Sequence, residues 1–388
     1  MKDFFKKEKP LQGWTGFGGG ATSIRMGAAI DPYITATGGT KSTPGDGYIY
    51  HQFLGGGTFT VENAGVGPTG IIDLCVVGGG GGGSLDNGGG GGAGGFRITT
   101  VDIASYGAGN YPISVGNGGQ GQPSTGPTPN RPPASPGDPS YFSIPSSITP
   151  SPFQIISGGG GAGGPLSPTP SPLQNQGKPG EPHPFPTNSP PHPNAVAFPG
   201  SGGGSRQNQF YGGDGAGSPF NSSPGTRGSS GGGGAGGGAG ETGWSPTSPG
   251  STGGAGKQLP WALPTWGWGE NNSAGRSGAA PSSPNPTRPA GPGGELPWGY
   301  GWFAGGGGGG RDEPGQIFGA GRAGSGDGSR NNMIWGGPPN TGSDGFGGWA
   351  APGTGSGGGG TGGSGSVMPP VGGARGGSGA VMIRYPAA

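Results

Sequence analysis

Short apolar and β-branched runs mark one part of the chain, residues 46–116, and glycine or proline separates them. Five segments in this part have the length and composition of β-strands. They are residues 48–53, 58–61, 71–77, 95–101 and 111–115. Because several short strands at turn-separated spacing are typical of compact β-structure, this part of the chain is predicted to form a small β-unit.

The same pattern predicts how some of these strands are arranged. Residues 48–53 and 58–61 flank the glycines at 55–57, which is the pattern of a β-hairpin. Residues 71–77 form a short apolar run between glycines and predict a buried strand. A second apolar run, residues 381–385, predicts a closing strand.

Beyond residue 116, glycine blocks replace the apolar runs and alternate with long loops as far as residue 375. The blocks are about four to ten residues long, and some of them contain alanine. No segment has a helical period, and glycine and proline are poor helix formers, so no α-helical core is expected. The predicted loops are residues 120–157, 165–201, 257–303 and 315–356.

Composition leaves two possibilities for the glycine blocks, disorder or a packing of glycine itself. Of 388 residues, 109 are glycine and 46 are proline, and only 27% are hydrophobic, which is too little for a conventional core. The net charge is only +1, whereas disordered chains are usually strongly charged, so order is favoured. Collagen is excluded, because residues 78–83 are unbroken glycine and residues 129–139 contain a single glycine.

Glycine runs can pack as polyproline II helices, which have about three residues per turn and no internal hydrogen bonds. Their N–H and C=O groups point outward and need partners. Without side chains, neighbouring runs can bond one another directly, with weak Cα–H···O contacts between them. The predicted fold is therefore mostly irregular and β. It consists of a small N-terminal β-unit and a bundle, or sandwich, of polyglycine II helices with long loops.

The order of the segments resembles the glycine-rich domain of bacteriophage tail-fibre and adhesin proteins. The resemblance covers residues 46–385. It rests on the apolar strand that enters the glycines 78–83, on the block 88–95 before Phe96, and on the segments 111–119 and 376–385. It implies a sandwich of polyglycine II helices whose end loops contact the host surface. Residues 10–22 resemble the attachment peptides of such proteins, whereas the proline-rich loop 165–199 departs from the pattern.

These patterns divide the chain into four predicted parts. A virion-attachment peptide is expected first and the small β-unit second. The glycine-rich bundle with its display loops follows, and a closing strand ends the order. The predicted boundaries are residues 1–45, 46–116, 117–375 and 376–388.

Aromatic residues are concentrated in the predicted loop 257–303. Tyr and Trp dominate recognition surfaces, so these side chains are the predicted receptor-binding residues. The set consists of Trp261, Trp266, Trp268, Trp298, Tyr300 and Trp302. The alternative is that they cap the ends of a bundle that has no side-chain core. Trp14 and Phe17 lie among small residues and are predicted to attach the protein to the virion, or else to pack as a local leader.

Several function classes find no support in the sequence. A net charge of +1 argues against binding nucleic acid, which needs clustered Lys and Arg. No apolar run approaches the roughly 18 residues of a membrane span, so no membrane insertion is expected. No nucleophile, base and acid set is visible, so the protein is predicted not to be an enzyme and to need no cofactor. His183 and His192 have no cysteine or paired carboxylate beside them, and no metal site is predicted.

The expected function is that of a virion protein, a tail-fibre or tail-tip adhesin that binds the bacterial host surface through its loops. Its expected partners are other virion tail or fibre proteins, through residues 1–45, and a host cell-surface glycan or outer-membrane protein. The alternative is a purely structural virion component, a fibre connector or decoration protein without receptor binding. No signal peptide is visible, which fits release by lysis.

Overall fold

The structure, a computed structural model, describes residues 31–85, 87–123, 132–150, 152–164, 200–201, 203–204, 236–239, 253–263, 301–310, 348–362 and 372–388. The prediction of a mostly β and irregular fold is confirmed, because almost none of this part of the chain is helical. Its helical elements are α1 (Ile103–Tyr106) and a 3₁₀ turn at Gly67–Gly70. The strands are β1 (Ile34–Thr37), β2 (Thr40–Ser42), β3 (Tyr48–Phe53), β4 (Gly57–Ala64), β5 (Ile71–Val77), β6 (Phe96–Asp102), β7 (Gly109–Ser114), β8 (Ser140–Ile144), β9 (Phe153–Ser157), β10 (Lys257–Gln258), β11 (Trp302–Phe303) and β12 (Ala380–Pro386).

Two five-stranded antiparallel sheets form a sandwich. The first sheet has the strand order β1-β4-β7-β8-β9, and the second sheet has the order β2-β3-β12-β5-β6. The core lies between them, where side chains from both sheets form one buried cluster. The remaining strands, β10 and β11, form a separate antiparallel pair.

Large aromatic side chains fill the sandwich core. Phe59, Tyr111 and Phe142 of the first sheet and Leu74 and Tyr385 of the second are all fully buried. The rings of Tyr111 and Phe142 stack with centroids 5.6 Å apart, and the centroid of Phe59 lies 6.3 Å from that of Tyr385. Burial of each such side chain stabilises the fold by about 2 kcal/mol. The sandwich therefore has a conventional hydrophobic core.

The predicted hairpin of residues 48–53 and 58–61 is wrong, because β3 and β4 lie in different sheets. β3 pairs with β2 and β12, whereas β4 pairs with β1 and β7. The connection 54–56 crosses from one sheet to the other, and the rings of His51 and Phe59 meet edge to face at 5.2 Å. Alternation along a strand shows which side chains are buried. It does not distinguish a hairpin within one sheet from two strands in facing sheets, because both arrangements bury the same side chains.

The prediction of a loop over residues 120–157 is wrong for the two strands it contains. β8 and β9 extend the first sheet beyond β7, and Ile144 is paired with Phe153. Their alternate residues Phe142 and Ile155 point into the core. The apolar alternation is present in the sequence, but the prolines around these strands obscure it.

The sandwich also takes strands from the predicted attachment peptide, residues 1–45. β1 is an edge strand of the first sheet, with Ile34 and Ala36 buried, and β2 is an edge strand of the second sheet. Residues 34–42 therefore contribute to the sheets, while residues 1–30 lie outside the described part of the chain.

The predicted buried strand 71–77 and the predicted closing strand 381–385 are confirmed as β5 and β12. β12 lies in the middle of the second sheet, between β3 and β5. Its residue Ile383 is opposite His51 on one side and Leu74 on the other. The strand with the highest sequence numbers thus completes a sheet that begins more than three hundred residues earlier.

Extended segments, most of them rich in glycine, pack side by side at one end of the sandwich. We call them the glycine segments. Successive N–H groups of one segment, residues 78–84, donate to three neighbours in rotation, and each neighbour recurs every third residue. The bonds run from Gly78, Gly81 and Ser84 to segment 89–95, from Gly79 and Gly82 to segment 135–138, and from Gly80 and Gly83 to segment 374–377.

The carbonyl groups of the same segment bond three further neighbours. The acceptors are Gly79 and Gly82 for segment 160–163, Gly80 and Gly83 for segment 119–122, and Gly81 and Ser84 for segment 358–361. All of these N···O distances are between 2.8 and 3.0 Å. A buried backbone with no regular strand partner thus satisfies its polar groups through the surrounding segments, as burial requires.

Close approach of the segments explains the need for glycine. A Cβ added at Gly81 would overlap the carbonyl group of Gly161, and one added at Gly80 would overlap that of Ser356. Both obstacles are backbone atoms held in the hydrogen-bonded array, so they cannot turn aside as a flexible side chain could. Glycine is required here because the neighbouring segments approach so closely that no Cβ atom fits between them.

Candidate functional site

The register of the first sheet fixes which end of the sandwich carries the glycine segments. Ile113 of β7 pairs with Gly57, and the chain continues from β7 into the glycine segment that begins at Gly116. At the other end of β4, Ala64 pairs with Ile34. Residues 31–34 therefore lie at the end of the sandwich opposite the glycine segments.

Several glycine segments run away from the sandwich and reach a common end, which we call the distal end. Residues at or next to the last described positions of these segments are hydrogen-bonded across segments: Gln122 to Gly83, Thr361 to Ser84, Gly163 to Gly82, and Gly310 and Thr361 to Gly88. The connections that follow residues 123, 164, 310 and 362 therefore begin at or near the distal end. Residues 31–34 and the starts of these connections lie at opposite ends of the described structure.

The base of the predicted aromatic loop lies on the sandwich, away from the distal end. β10 and β11 pair Lys257 with Phe303, and the N–H of Leu259 donates to the carbonyl of Gly301 at 2.8 Å. Leu259 and Phe303 are buried against the outer face of the second sheet, where the ring of Phe303 stacks on Phe96 with centroids 6.1 Å apart. Both ends of this loop are therefore held by one sheet face.

A charged pair lies beside this loop base. Arg384 of β12 faces outward, and its Nε donates to Asp73 Oδ2 of β5 at 2.7 Å. The guanidinium carbon lies 4.4 Å from the ring centroid of Tyr48 and 5.2 Å from that of Trp261. Burial by itself lowers the pKa of Arg384. The interactions with Asp73 and Tyr50 raise the pKa by more than burial lowers it, so the pKa of Arg384 is above its ordinary value.

The structure describes two of the predicted receptor-binding residues. Trp261 is partly buried against the second sheet, and Trp302 belongs to β11 of the same loop base. The indole Nε1 of Trp302 is buried without a hydrogen-bond partner. The other predicted residues, Trp266, Trp268, Trp298, Tyr300, Trp14 and Phe17, lie outside the described residues. The roles of all eight remain predictions.

Sequence reasoning missed the cluster of Asp73, Arg384 and Tyr48. A signal was present, since Asp73 and Arg384 are the single charged residues of two apolar strands. It could be used only with the pairing of β5 and β12, in which these two residues are opposite each other. Trp349 was also missed, although it is 63% exposed beside the glycine segments.

His51 is used inside the core rather than at a surface. The carbonyl of Gly38, 2.6 Å from Nδ1, can only accept, so Nδ1 carries the proton. Burial raises the pKa of Tyr385 to about 12, and its hydroxyl, 3.1 Å from Nε2, donates to the other ring nitrogen. Burial also lowers the pKa of His51. The ring is therefore neutral and held by two structural hydrogen bonds.

The described residues hold no cluster of three or more His, Cys, Asp or Glu side chains that could bind a metal ion. Their one cysteine, Cys75, is fully buried, and burial raises the pKa of its thiol well above the ordinary value. Within these same ranges of the chain, no helix is long and apolar enough to cross a membrane.

Comparison with protein-family models and with curated proteins gives no significant match for this chain. Its function is therefore inferred from its own geometry. The relevant features are the hydrogen-bonded glycine segments, the two opposite ends of the molecule and the anchored base of the aromatic loop.

Proposed function

We propose that this protein is a bacteriophage virion protein, a tail-fibre or tail-tip adhesin that binds the bacterial host surface through loops displayed on a glycine-rich scaffold. One observation carries the proposal. Four connections begin at or near the distal end, opposite residues 31–34 of the sandwich. A scaffold with residues 31–34 at one end and the starts of its connections at the other is suited to display, because loops on a rigid scaffold commonly carry recognition.

The scaffold is proposed to be a bundle of polyglycine II helices. Support comes from the three-residue rotation of hydrogen bonds around residues 78–84, since polyproline II has about three residues per turn and no internal hydrogen bonds. The overlap that a Cβ would cause at Gly80 and Gly81 also supports it. Such a bundle would hold the starts of the distal connections in fixed positions.

Residues 1–45 are proposed to attach the protein to other tail or fibre proteins of the virion, with Trp14 and Phe17 as the contact residues. The position of residues 31–34 supports this assignment, because a partner bound there leaves the distal end free. The proposed receptor is a host cell-surface glycan or outer-membrane protein. Its proposed aromatic contacts are Trp261, Trp266, Trp268, Trp298, Tyr300 and Trp302.

The full chain, purified in folded form, tests the proposal. It should bind susceptible cells and reduce infection by competing with the phage for receptor. Burial of Cys75 supplies the folding control, because its thiol should not react with an aromatic disulfide reagent until the protein unfolds. Folded protein that binds no susceptible cell and does not reduce infection would contradict the adhesin proposal.

Loop replacements test which surface binds. Residues 264–300 or residues 165–199 would each be replaced by a Gly/Ser linker of the same length, which leaves the described scaffold unchanged. Loss of cell binding with the first replacement would show that the aromatic loop contains the receptor-binding surface. Loss with the second would assign it to a connection that starts at the distal end.

A second candidate is a purely structural virion component, a fibre connector or decoration protein. The packing of Trp261 against the second sheet favours it, since this aromatic is held inward and does not present its whole ring to solvent. Phage that lack the protein distinguish the two roles. Normal adsorption by particles with defective assembly supports the structural role, whereas intact particles that do not adsorb support the adhesin.

A further inference from the structure

We propose that Arg384 is the positioning residue of the aromatic loop, because its guanidinium clamps the loop base to the second sheet. The guanidinium carbon lies within 4.4 Å of the Tyr48 ring centroid and 5.2 Å of the Trp261 ring centroid. Tyr48 belongs to the sheet and Trp261 belongs to the loop base. One cation therefore contacts an aromatic ring on each of the two parts.

The pairing of β12 creates this arrangement. Arg384 is opposite Asp73 of β5 on one side and Tyr50 of β3 on the other. Alternate residues of a strand point to the same face, so Arg384 shares the outer face of the sheet with Met382 and Ala380. The bond from Arg384 Nε to Asp73 Oδ2 then fixes the orientation of the guanidinium plane.

Arginine suits this position better than lysine. Its planar guanidinium can contact aromatic faces while its edge donates to a carboxylate, whereas a lysine ammonium is a point charge without such a plane. The pair is also partly shielded from water, with 23% of Arg384 and 30% of Asp73 exposed. Asp73 is therefore the partner that aims the guanidinium, and Trp261 is the loop residue that it holds.

The loop base has a second, apolar anchor. Leu259 and Phe303 are buried near Phe96 and Met382, on the side of the sheet face next to the glycine segments. Two separate anchors determine the orientation of the base, whereas one would allow it to pivot. Removal of Arg384 should leave the apolar anchor in place, so that the base stays attached but loses its fixed orientation.

Hydrogen exchange in the full chain tests this positioning role. The N–H groups of Leu259 and Ala262 donate within the loop base, to Gly301 and Leu259 respectively. In Arg384→Met their exchange should become about fivefold faster, because the cation–π contact that holds the loop base is lost. Arg384→Lys keeps the charge without the plane and should give an intermediate rate. Arg375→Met, at an exposed arginine, is the matched control and should leave both rates unchanged.

Two outcomes would overturn the proposal. One is unchanged exchange at Leu259 and Ala262 in a folded Arg384→Met protein. The other is an equal loss of protection along β5 and β12, which would assign Arg384 to the sheet alone. A fluorine-labelled Trp261, assigned by loss of its resonance in Trp261→Phe, adds a local readout. Its signal should shift or broaden in Arg384→Met and stay in place in Arg375→Met.

The consequence for host binding rests on the proposed function, whereas the positioning itself does not. If the aromatic loop binds receptor, Arg384→Met should weaken cell binding by about fivefold, in line with the loss at the loop base. Faster exchange without any cell binding by the wild-type protein would support the clamp and contradict the adhesin. Normal exchange in the variant together with wild-type cell binding would contradict the clamp and leave the adhesin supported.

Discussion

The sandwich and the glycine segments exclude water in two different ways. In the sandwich, side chains such as Phe59 and Tyr385 fill the space between two sheets, and the backbone polar groups pair within each sheet. In the glycine segments, space is filled mostly by backbone, and N–H and C=O groups bond neighbouring segments. A single chain thus combines a hydrophobic core with a hydrogen-bonded array that has almost no side chains.

This difference determines which substitutions each region tolerates. A side-chain core loses stability when atoms are removed, because a cavity remains. The glycine array loses stability when atoms are added, because the nearest neighbours are backbone atoms that cannot move aside. The comparison predicts opposite responses to small and large side chains in the two regions.

The largest expected effect is that of Gly81→Val. The new side chain would overlap the carbonyl group of Gly161, and no soluble folded protein is expected. Gly81→Ala should cost more than about 4 kcal/mol in the free energy of unfolding, measured by denaturant titration. Gly55→Ala is the control, because a Cβ there meets no atom within 4 Å. Equal stability of the two alanine variants would disprove close backbone packing.

Removal of a core side chain from the sandwich should have the next largest effect. Phe59 is fully buried and touches the rings of His51, Tyr111 and Tyr385. Phe59→Ala should lower the free energy of unfolding by about 3–5 kcal/mol. Val66→Ala, at a side chain that is 47% exposed, should change it by less than about 0.5 kcal/mol. An unchanged free energy of unfolding in Phe59→Ala would mean that the glycine array alone maintains the fold.

A smaller, pH-dependent effect is expected from His51. Because burial lowers its pKa in the folded state, the unfolded chain binds more protons between that pKa and the unfolded value near 6.5. The contribution of neutral His51 to the free energy of unfolding is therefore fully present above about pH 6.5. It is lost as the pH falls through the pKa of His51 in the folded state. Denaturant titrations from pH 5 to pH 8 should show that the free energy of unfolding falls more steeply with decreasing pH for wild type than for His51→Phe. Parallel curves would exclude this titration.

The smallest effect is expected at Trp349, which lies among the glycine segments but is 63% exposed. Trp349→Ala should change the free energy of unfolding by less than about 0.5 kcal/mol, since little burial is lost. The same titration gives the value. A loss above about 2 kcal/mol would instead support the alternative in which tryptophans cap the bundle.

Local sequence pattern predicted individual strands well and their partners poorly. The apolar runs at β5 and β12 were found because each follows glycine and is dense in β-branched or other apolar residues. β8 and β9 were missed where prolines interrupt the pattern. The hairpin was wrong because β3 and β4 have the right alternation for either one sheet or two.

The candidate site was even less accessible from the sequence. The aromatic residues of the loop 257–303 were visible as a cluster, and Trp261 and Trp302 do belong to one loop base. Neither the position of that base on the sandwich nor the role of Arg384 could be derived, because both depend on contacts between distant segments. Asp73 and Arg384 are 311 residues apart in the chain.

By itself, the sequence determined the local conformations: strands where apolar residues alternate, and extended backbone where glycine leaves no side chains to pack. Only the tertiary structure decided which strands share a sheet, which end of the molecule carries the distal connections, and which cation meets Trp261. The physical reason is that conformational preference is set within a few residues. Pairing depends on long-range contacts. The local sequence of a strand such as β12 is compatible with several partners, and the assembled fold selects among them.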